Sequence, residues 1–342
     1  MYEGGKFEQL AFREIAKILG KQNEFEIEKV SMKLYIGSLE ELAKKIATAR
    51  FILLDKNVAL LGGLKLRRET QLIMLGDRAC FLLPDGLIKK IDLRRERELH
   101  LLNSQMDIAV LPTPSDEMGE IYKKCYSVNG LTDYSLRGRC VTDVYFDSEF
   151  KKKSKEKLVK LFPEAADKKV ICYIPHHRYR NAAANYAEML DLQLMKHHLG
   201  DEYVVIVHKQ NNTTNSVNNA LDIPGFSKDL TGKMKDREQL IAADIVVGDY
   251  RDVTFEAPLM HKPLFLTCRD FKLKRYRTRV LFDYEELSRG IGVEDTVDLI
   301  QKIKNIESYD YSCIERFAEK YLTFCDGKSS ERLYEYMCEN KI

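Results

Sequence analysis

The residues best suited to phosphate or proton chemistry lie at the ends of apolar runs. His208 directly follows the run Tyr203 to Val207. Such a run predicts a buried parallel strand, and the residue after it sits at the C-terminal edge, where α/β proteins place ligands. An imidazole there can accept a proton or donate one to an oxyanion. A partly buried structural histidine is the alternative. A second group is the polar turn Gly248-Asp249-Tyr250-Arg251-Asp252, which follows the strand expected over Ile245 to Val247. A short helix is expected from Val253 to about His261, and Pro263 opens a further strand, Leu264 to Thr267. Strand, turn, helix and strand make a βαβ unit, whose helix N-terminus attracts anions through its N–H groups and partial positive charge. Arg251 would add a forked cationic donor. Asp252 would repel phosphate, so its expected role is to cap the helix or pair with Arg251. A third group, Pro175-His176-His177-Arg178, follows the apolar run Val170 to Tyr173. The paired histidines suggest zinc, but no adjacent carboxylate or cysteine completes a ligand set, so no metal is expected.

The elements that must position these residues alternate along the chain. An amphipathic helix is expected over Phe7 to Leu19, packed on its domain or lying on a membrane surface. Ser38 is placed to cap a helix over Leu39 to Ala49, with Glu41 at the capping-box position. Strands follow at Phe51 to Leu54, Thr70 to Met74, Phe81 to Leu83 and Asp107 to Leu111, then a helix at Asp116 to Cys125. Further helices are expected at Ser154 to Phe162, Asn185 to His198, Asp236 to Ala242, Thr296 to Ile303 and Tyr311 to Leu322. Strands alternating with helices predict parallel, doubly wound sheets. The basic cluster Lys151-Lys152-Lys153 with Lys155 and Lys157 suggests a boundary near residue 150.

Composition bounds the class. With 44% hydrophobic and 32% charged residues, the chain is globular and not disordered. No apolar run approaches the roughly 20 residues of a membrane span, and no signal peptide is visible. The 8 cysteines form no CxxC pair, which fits reduced thiols in a cytoplasmic protein. The net charge of +2 says little about partners. The Lys151 cluster and the stretch Arg269 to Arg279 are read as solvated surface, or as an attraction for a polyanion or an anionic membrane face. No nucleic-acid motif accompanies them.

Several segments in order resemble one family. IAADIVVGDYRDVTFEAPLMHKPLFLTCRD (Ile241 to Asp270) is similar to the pattern ADILITDYSSVMFDFALLNKPIIFYAYD of the CDP-glycerol glycerophosphotransferases, the teichoic-acid polymerase family. CVTDVYFD (Cys140 to Asp147), VICYIPHHRYR (Val170 to Arg180), VVIVHKQ (Val204 to Gln210), RYRTRVLFDYEEL (Arg275 to Leu287) and FCDGKSSERLYEYM (Phe324 to Met337) stand where that family has PRNDxLF, ILYAPTWR, a strand ending in a functional histidine, YRxxRGxYFDYEE and FxDGKASER. Together with Ser38 to Asn57 and Met106 to Tyr126, the likeness covers roughly residues 38 to 337. The departures are specific. Where the family carries WHGTPLK, with a histidine thought to act as base, this chain has Ile73-Met74-Leu75-Gly76-Asp77-Arg78. The serine pair of DYSS is Arg251-Asp252, and the Thr-Trp of APTWR is His176-His177.

The resemblance implies an α/β, GT-B-like fold: two Rossmann-like, doubly wound domains facing a cleft. Residues 1–150 would be the acceptor side and 151–342 the nucleotide-donor side. It implies transfer of glycerol- or ribitol-phosphate from a CDP-activated donor to a hydroxyl of a polyanionic or lipid-linked cell-surface polymer. No cofactor is expected, and the protein would be cytoplasmic, with peripheral contact at the inner membrane face. His208 and Asp77 would be catalytic, Asp77 standing in for the missing histidine. Arg178, His176, His177, Asp249, Arg251, Asp252 and Thr254 would form the donor phosphate site, with Asp252 capping the helix or pairing with Arg251. Glu256, in place of a family aspartate, would contact a ribose or fix the loop. Arg78, Arg277 and Arg279 would hold acceptor or donor phosphate. Lys328, Ser329 and Arg332 would be structural, with Ser329 as a helix cap. Two other readings stand beside this one: a glycosyltransferase using another nucleotide-sugar, and a non-catalytic member that binds nucleotide or polymer.

Overall fold

The computed structural model describes residues 10–22, 24–30, 39–55, 58–62, 64–76, 81, 108–126, 132–175, 190–209, 221–267 and 280–341. The chain divides into two compact units, one of residues 1–146 with 320–342, the other of residues 147–319. The first division, between residues 146 and 147, lies next to the boundary expected near residue 150, which itself falls inside a helix, Ser148–Leu161. The Asp147 side chain starts this helix by accepting from the N–H groups of Glu149 and Phe150. The lysine cluster read as a boundary is therefore an exposed helix face. Lys153 pairs with Glu149 at 2.6 Å and Lys157 with Glu238 at 2.7 Å. Residues 320–342 belong with the first unit, whereas the sequence alone grouped them with the second.

In the first unit, β1 (Phe51–Leu54) pairs in parallel with β2 (Gln71–Met74). Parallel bridges from Ile73 to Val110 and from Val110 to Asp133 extend the pairing. The strand expected over Asp107 to Leu111 is thus a bridge at Val110, with Asp107 outside the described residues. Gly76 follows β2, and a Cβ there would lie 1.5 Å from the carbonyl oxygen of Asp55, so only glycine fits.

Two of the family-like segments meet in this unit. CVTDVY forms a 3-10 helix, Cys140–Tyr145, and its buried Asp143 carboxylate accepts from the N–H groups of Ser329 (3.2 Å) and Ser330 (2.7 Å). These open the helix Ser329–Glu339, so a carboxylate distant in sequence supplies the cap expected from Ser329. Arg332 donates to the carbonyls of Arg137 (2.9 Å) and Phe324 (2.7 Å) and to Asp326 (2.8 Å), a structural role as expected.

The second unit is a five-stranded sheet in the order β5-β4-β3-β6-β7. Its strands are β3 (Lys169–Ile174), β4 (Tyr203–Val207), β5 (Ser227–Asp229), β6 (Ile245–Gly248) and β7 (Leu264–Leu266), all parallel. The chain starts at the central strand, builds outward on one side, then returns to build on the other. The reversal lies between β3 and β6, and doubly wound sheets bind ligands in the crevice outside such a reversal. Ile171, Val205, Val247 and Phe265 pack with Met195 and Leu299 in one core. The helix Leu192–Leu199 starts later than expected, because Asp191 caps it by accepting from the Leu194 N–H at 2.9 Å.

Asp143→Ala should lower stability by about 1–3 kcal/mol, because buried N–H groups lose their acceptor. Asp143→Asn, which keeps an acceptor oxygen for one of the two N–H groups, should recover only part of that loss. Urea midpoints of the three proteins measure the effect; equal midpoints for wild type and Asp143→Ala would refute the capping role.

Candidate functional site

β3, β4 and β6 end level with one another. Tyr173 lies opposite Val207 on one side and Val247 on the other, and Ile174 lies opposite Gly248. The next residue of β4, His208, therefore flanks the end of β3 opposite the Gly248-Asp249 turn. Its backbone N–H continues the ladder, donating to the Tyr173 carbonyl at 2.9 Å. Adjacent parallel strands are about 4.8 Å apart, so His208 and Asp249 lie two strand spacings, about 10 Å, apart on either side of β3.

His208 is buried, 5% exposed. Its Nδ1 lies 2.7 Å from Nε2 of Gln239, a fully buried residue on the helix Asp236–Ala242. Burial pushes the His208 pKa down from 6.5 to about 4, with Asp236 opposing and Arg251 reinforcing the shift. The ring is thus neutral at neutral pH. Asp236 behaves in the opposite way. Burial favours its protonated form, but the charge of Arg237, with that of Arg251, holds its carboxyl below the usual range. Asp236 and Arg251 thus lie within electrostatic reach of His208.

The turn after β6 is shaped by its own residues. Gly248 is required there, since a Cβ would lie 2.4 Å from Cγ2 of Thr254. Asp249 is fully buried, and its carboxylate accepts from the N–H of Tyr250. The Arg251 N–H donates to the Asp249 carbonyl at 2.7 Å, and the Thr254 N–H to the Arg251 carbonyl at 2.9 Å. The short helix expected from Val253 to about His261 is a 3-10 helix, Asp252–Met260. Pro258 within it removes a donor and disfavours the α form. Arg251 occupies the position before its first turn and Asp252 the first position, and the Arg251 side chain makes no cap hydrogen bond.

Of the residues proposed for donor binding, those on this turn divide by exposure. Arg251 and Asp252 are half-buried, while Asp249, Thr254 and Glu256 are fully buried. The Thr254 side chain packs against Gly248. Glu256 is held by Arg237 through two hydrogen bonds, Nε to Oε2 at 2.7 Å and an Nη to Oε1 at 2.6 Å. This forked pair ties the 3-10 helix to the helix carrying Gln239, so of the two expected roles Glu256 fixes the loop. Asp77, Arg78, His176, His177, Arg178, Arg277 and Arg279 lie outside the described residues.

Sequence reasoning missed Gln239, Arg237, Asp236, Lys209 and Lys262. Lys209 is 4% exposed and pairs with Asp229 at 2.6 Å, and its N–H donates to Thr231 Oγ1 at 2.7 Å, which fixes the backbone beside His208. Lys262 donates to the carbonyls of Leu240 (2.9 Å), Ile241 (2.7 Å) and Ala243 (2.5 Å), closing the helix Asp236–Ala242. Burial pushes its pKa down to about 8. The available signal was a glutamine directly before the apolar Leu240-Ile241-Ala242, on a helix short enough to be buried on that side.

Tyr250 of the turn packs on Tyr284 at a centroid distance of 5.7 Å, and Phe255 on Phe282 at 4.8 Å. The segment FDYEE, whose helix Tyr284–Ile291 is capped by Asp283, therefore buttresses the turn. Among the described residues no cluster of three or more His, Cys, Asp and Glu could hold a metal ion. Among them also, no helix is long and apolar enough to cross a membrane.

Comparison with known proteins places these features in a family. Residues 26–339 match the family described as CDP-glycerol:poly(glycerophosphate) glycerophosphotransferase. The chain is 30% identical over 258 residues to a teichoic acid glycerol-phosphate primase of Bacillus subtilis, covering 74% of this chain and 62% of that protein. It is 26% identical over 302 residues to a teichoic acid poly(ribitol-phosphate) polymerase of Bacillus spizizenii, covering 88% of this chain and 48% of that protein. The chain thus spans about half to three fifths of the length of these relatives. Among solved structures it resembles the wall teichoic acid polymerase TagF, with a TM-score of 0.77, 18% identity, and coverage of 99% of this chain and 87% of that one. It also resembles a UDP-GlcNAc 2-epimerase from Neisseria meningitidis, with a TM-score of 0.63, 14% identity, and coverage of 99% and 98%. These likenesses show the α/β, GT-B-like fold expected from the sequence.

The site yields two stability predictions. A buried neutral histidine is protonated first in the unfolded chain. The unfolded state therefore binds more protons between pH 6.5 and about 4, and stability falls as pH drops through that window. The full loss should be about 3 kcal/mol, and His208→Leu should lack this part of the slope in denaturation measured against pH. Glu256→Ala should cost about 3–5 kcal/mol by taking the forked partner from the buried Arg237 guanidinium, while Arg237→Met with Glu256→Leu should cost much less. Equal losses for the single and double variants in a denaturant titration would contradict the ion-pair account.

Proposed function

Because the chain belongs to the CDP-glycerol:poly(glycerophosphate) glycerophosphotransferase family, we propose that it transfers a polyol phosphate from a CDP-activated donor. The acceptor would be a hydroxyl of a teichoic-acid-type polymer. The observation that carries this reading is the convergence of His208, Arg251 and the Asp249–Thr254 turn at the C-terminal edge of a doubly wound sheet, beside its reversal.

In this reaction the acceptor hydroxyl oxygen attacks the β-phosphorus of the donor. The new P–O bond forms as the bond from that phosphorus to the bridging oxygen breaks. CMP leaves with the electron pair, and the hydroxyl proton passes to a base. No atom changes oxidation state, so the step requires no redox cofactor. The protein's part is to position the donor and stabilise charge on the phosphate oxygens. Arg251 supplies a fixed positive charge, and the neutral His208 ring lies across the end of β3 from it. The Arg237–Glu256 pair and the Tyr250–Tyr284 contact hold the turn in place before donor arrives. Asp77 is proposed as the base, since it follows the segment where relatives of this family carry WHG. A polyanionic acceptor, anchored at the inner face of the cell membrane, fits the chemistry of the polymer.

Thermal-shift binding tests the donor site. Cytidine nucleotides should raise the melting temperature in proportion to saturation, and UDP should not. Arg251→Ala should weaken CDP binding by about 10- to 100-fold, the range expected when a charged phosphate contact is lost. A preference for UDP would redirect the reading to a glycosyltransferase, and no response to any nucleotide would refute a donor site.

A further inference from the structure

The Gln239 side chain has its amide nitrogen among three acceptors and its amide oxygen in none. Nε2 lies 2.7 Å from His208 Nδ1, 3.2 Å from the Leu230 carbonyl oxygen and 3.2 Å from the Met234 carbonyl oxygen. Oε1 is buried without a hydrogen-bond partner among the described residues. An amide NH2 has two hydrogens. One fits the short contact to Nδ1, and the two longer contacts share the other. Turning the amide over would set Oε1 against two carbonyl oxygens, so the main chain of Leu230 and Met234 fixes its orientation. The nitrogen that meets His208 is therefore a donor.

That orientation decides the imidazole. A donor 2.7 Å from Nδ1 requires a lone pair on Nδ1. The ring is neutral, because its burial disfavours the charged form. Its one proton must then sit on Nε2. We infer that Gln239 is a positioning residue that locks His208 in the Nε2–H tautomer, so that the ring presents a hydrogen-bond donor, and not a base, at the sheet edge.

This inference deepens the donor-site reading and rests on it for the ligand. Of the two roles an imidazole can play there, it selects the one suited to an oxyanion. Nε2–H would donate to a donor phosphate oxygen, adding to the charge of Arg251. A proton taken from the acceptor hydroxyl would have to go elsewhere, because Nδ1 already accepts from Gln239 and Nε2 has no lone pair to offer. The groups around the ring agree with this division. Asp236 and Asp229 oppose the downward shift of its pKa and Arg251 reinforces it, but burial outweighs them all. The ring stays neutral, and the donor state persists across the neutral range.

The test is nitrogen NMR of the full chain with labelled histidine, read at neutral pH. His208, assigned by its loss in His208→Leu, should show Nδ1 as unprotonated and Nε2 as protonated. The wild-type spectrum is decisive by itself: a protonated Nδ1 would overturn the inference. In Gln239→Glu an ionised carboxylate would accept from the ring, so Nδ1 should become protonated. In Gln239→Leu, which needs no charge in the core, the ring should sample both tautomers. Either variant should bind CDP about 10- to 100-fold more weakly. An unchanged nitrogen pattern in both folded variants would overturn the positioning role, because loss of mere packing moves stability and not the site of a proton. A protonated Nδ1 in Gln239→Glu with unaltered CDP affinity would instead overturn the phosphate contact, leaving the tautomer assignment in place. Failure of wild type to bind CDP at all would count against the donor-site reading alone.

Discussion

β3 is paired on both edges and buried along Val170 to Ile174, and that single constraint organises the second unit. A central parallel strand has no solvent-facing side on which to carry polar groups. Its neighbours must run the same way, each joined by a crossover. All their C-terminal ends then emerge together. The first polar residues after β4 and β6, His208 and Asp249, meet there because the apolar runs before them end in the same register.

Polar groups brought to such an edge are partly desolvated, and each needs a partner. Gln239 is held by His208 and two main-chain carbonyls, Glu256 by Arg237, Lys209 by Asp229, and Lys262 by three carbonyls at a helix end. These contacts link the helix Asp236–Ala242 to the turn after β6 and to the end of β4. The turn that would meet a ligand is therefore built before a ligand arrives, which limits the ordering cost of binding.

Much of this was legible in the sequence, and the limits have physical causes. Tyr203 to Val207 and Asp236 to Ala242 have the observed bounds, because a buried apolar run and an amphipathic turn of helix are local signals. His208 was legible for the same reason, as the residue that ends a strand. The helix expected after Val253 is of the 3-10 kind, which the apolar pattern of DVTFEAPLM does not specify because it cannot by itself weigh Pro258 against packing. Gln239, Arg237 and Lys262 were not legible as partners, because their contacts depend on which helix crosses which strand end. Asp143 shows the same limit in the first unit. The aspartate lies far along the chain from the serine N–H groups it caps, and only the fold brings them together. Glu256 could be read as a ribose contact or a fixed point of the loop, and its partner Arg237 decided between them.

The most direct test of the central claim is single-turnover release of CMP from a CDP-polyol in the presence of a polyol-phosphate acceptor. The account predicts CMP in equal amount to polyol phosphate added to the acceptor, with transfer sharply reduced in His208→Ala and in Arg251→Ala. Tight CDP binding with no CMP released from CDP-glycerol or CDP-ribitol would contradict it, and would make this chain a nucleotide-binding member of its family that does not catalyse transfer.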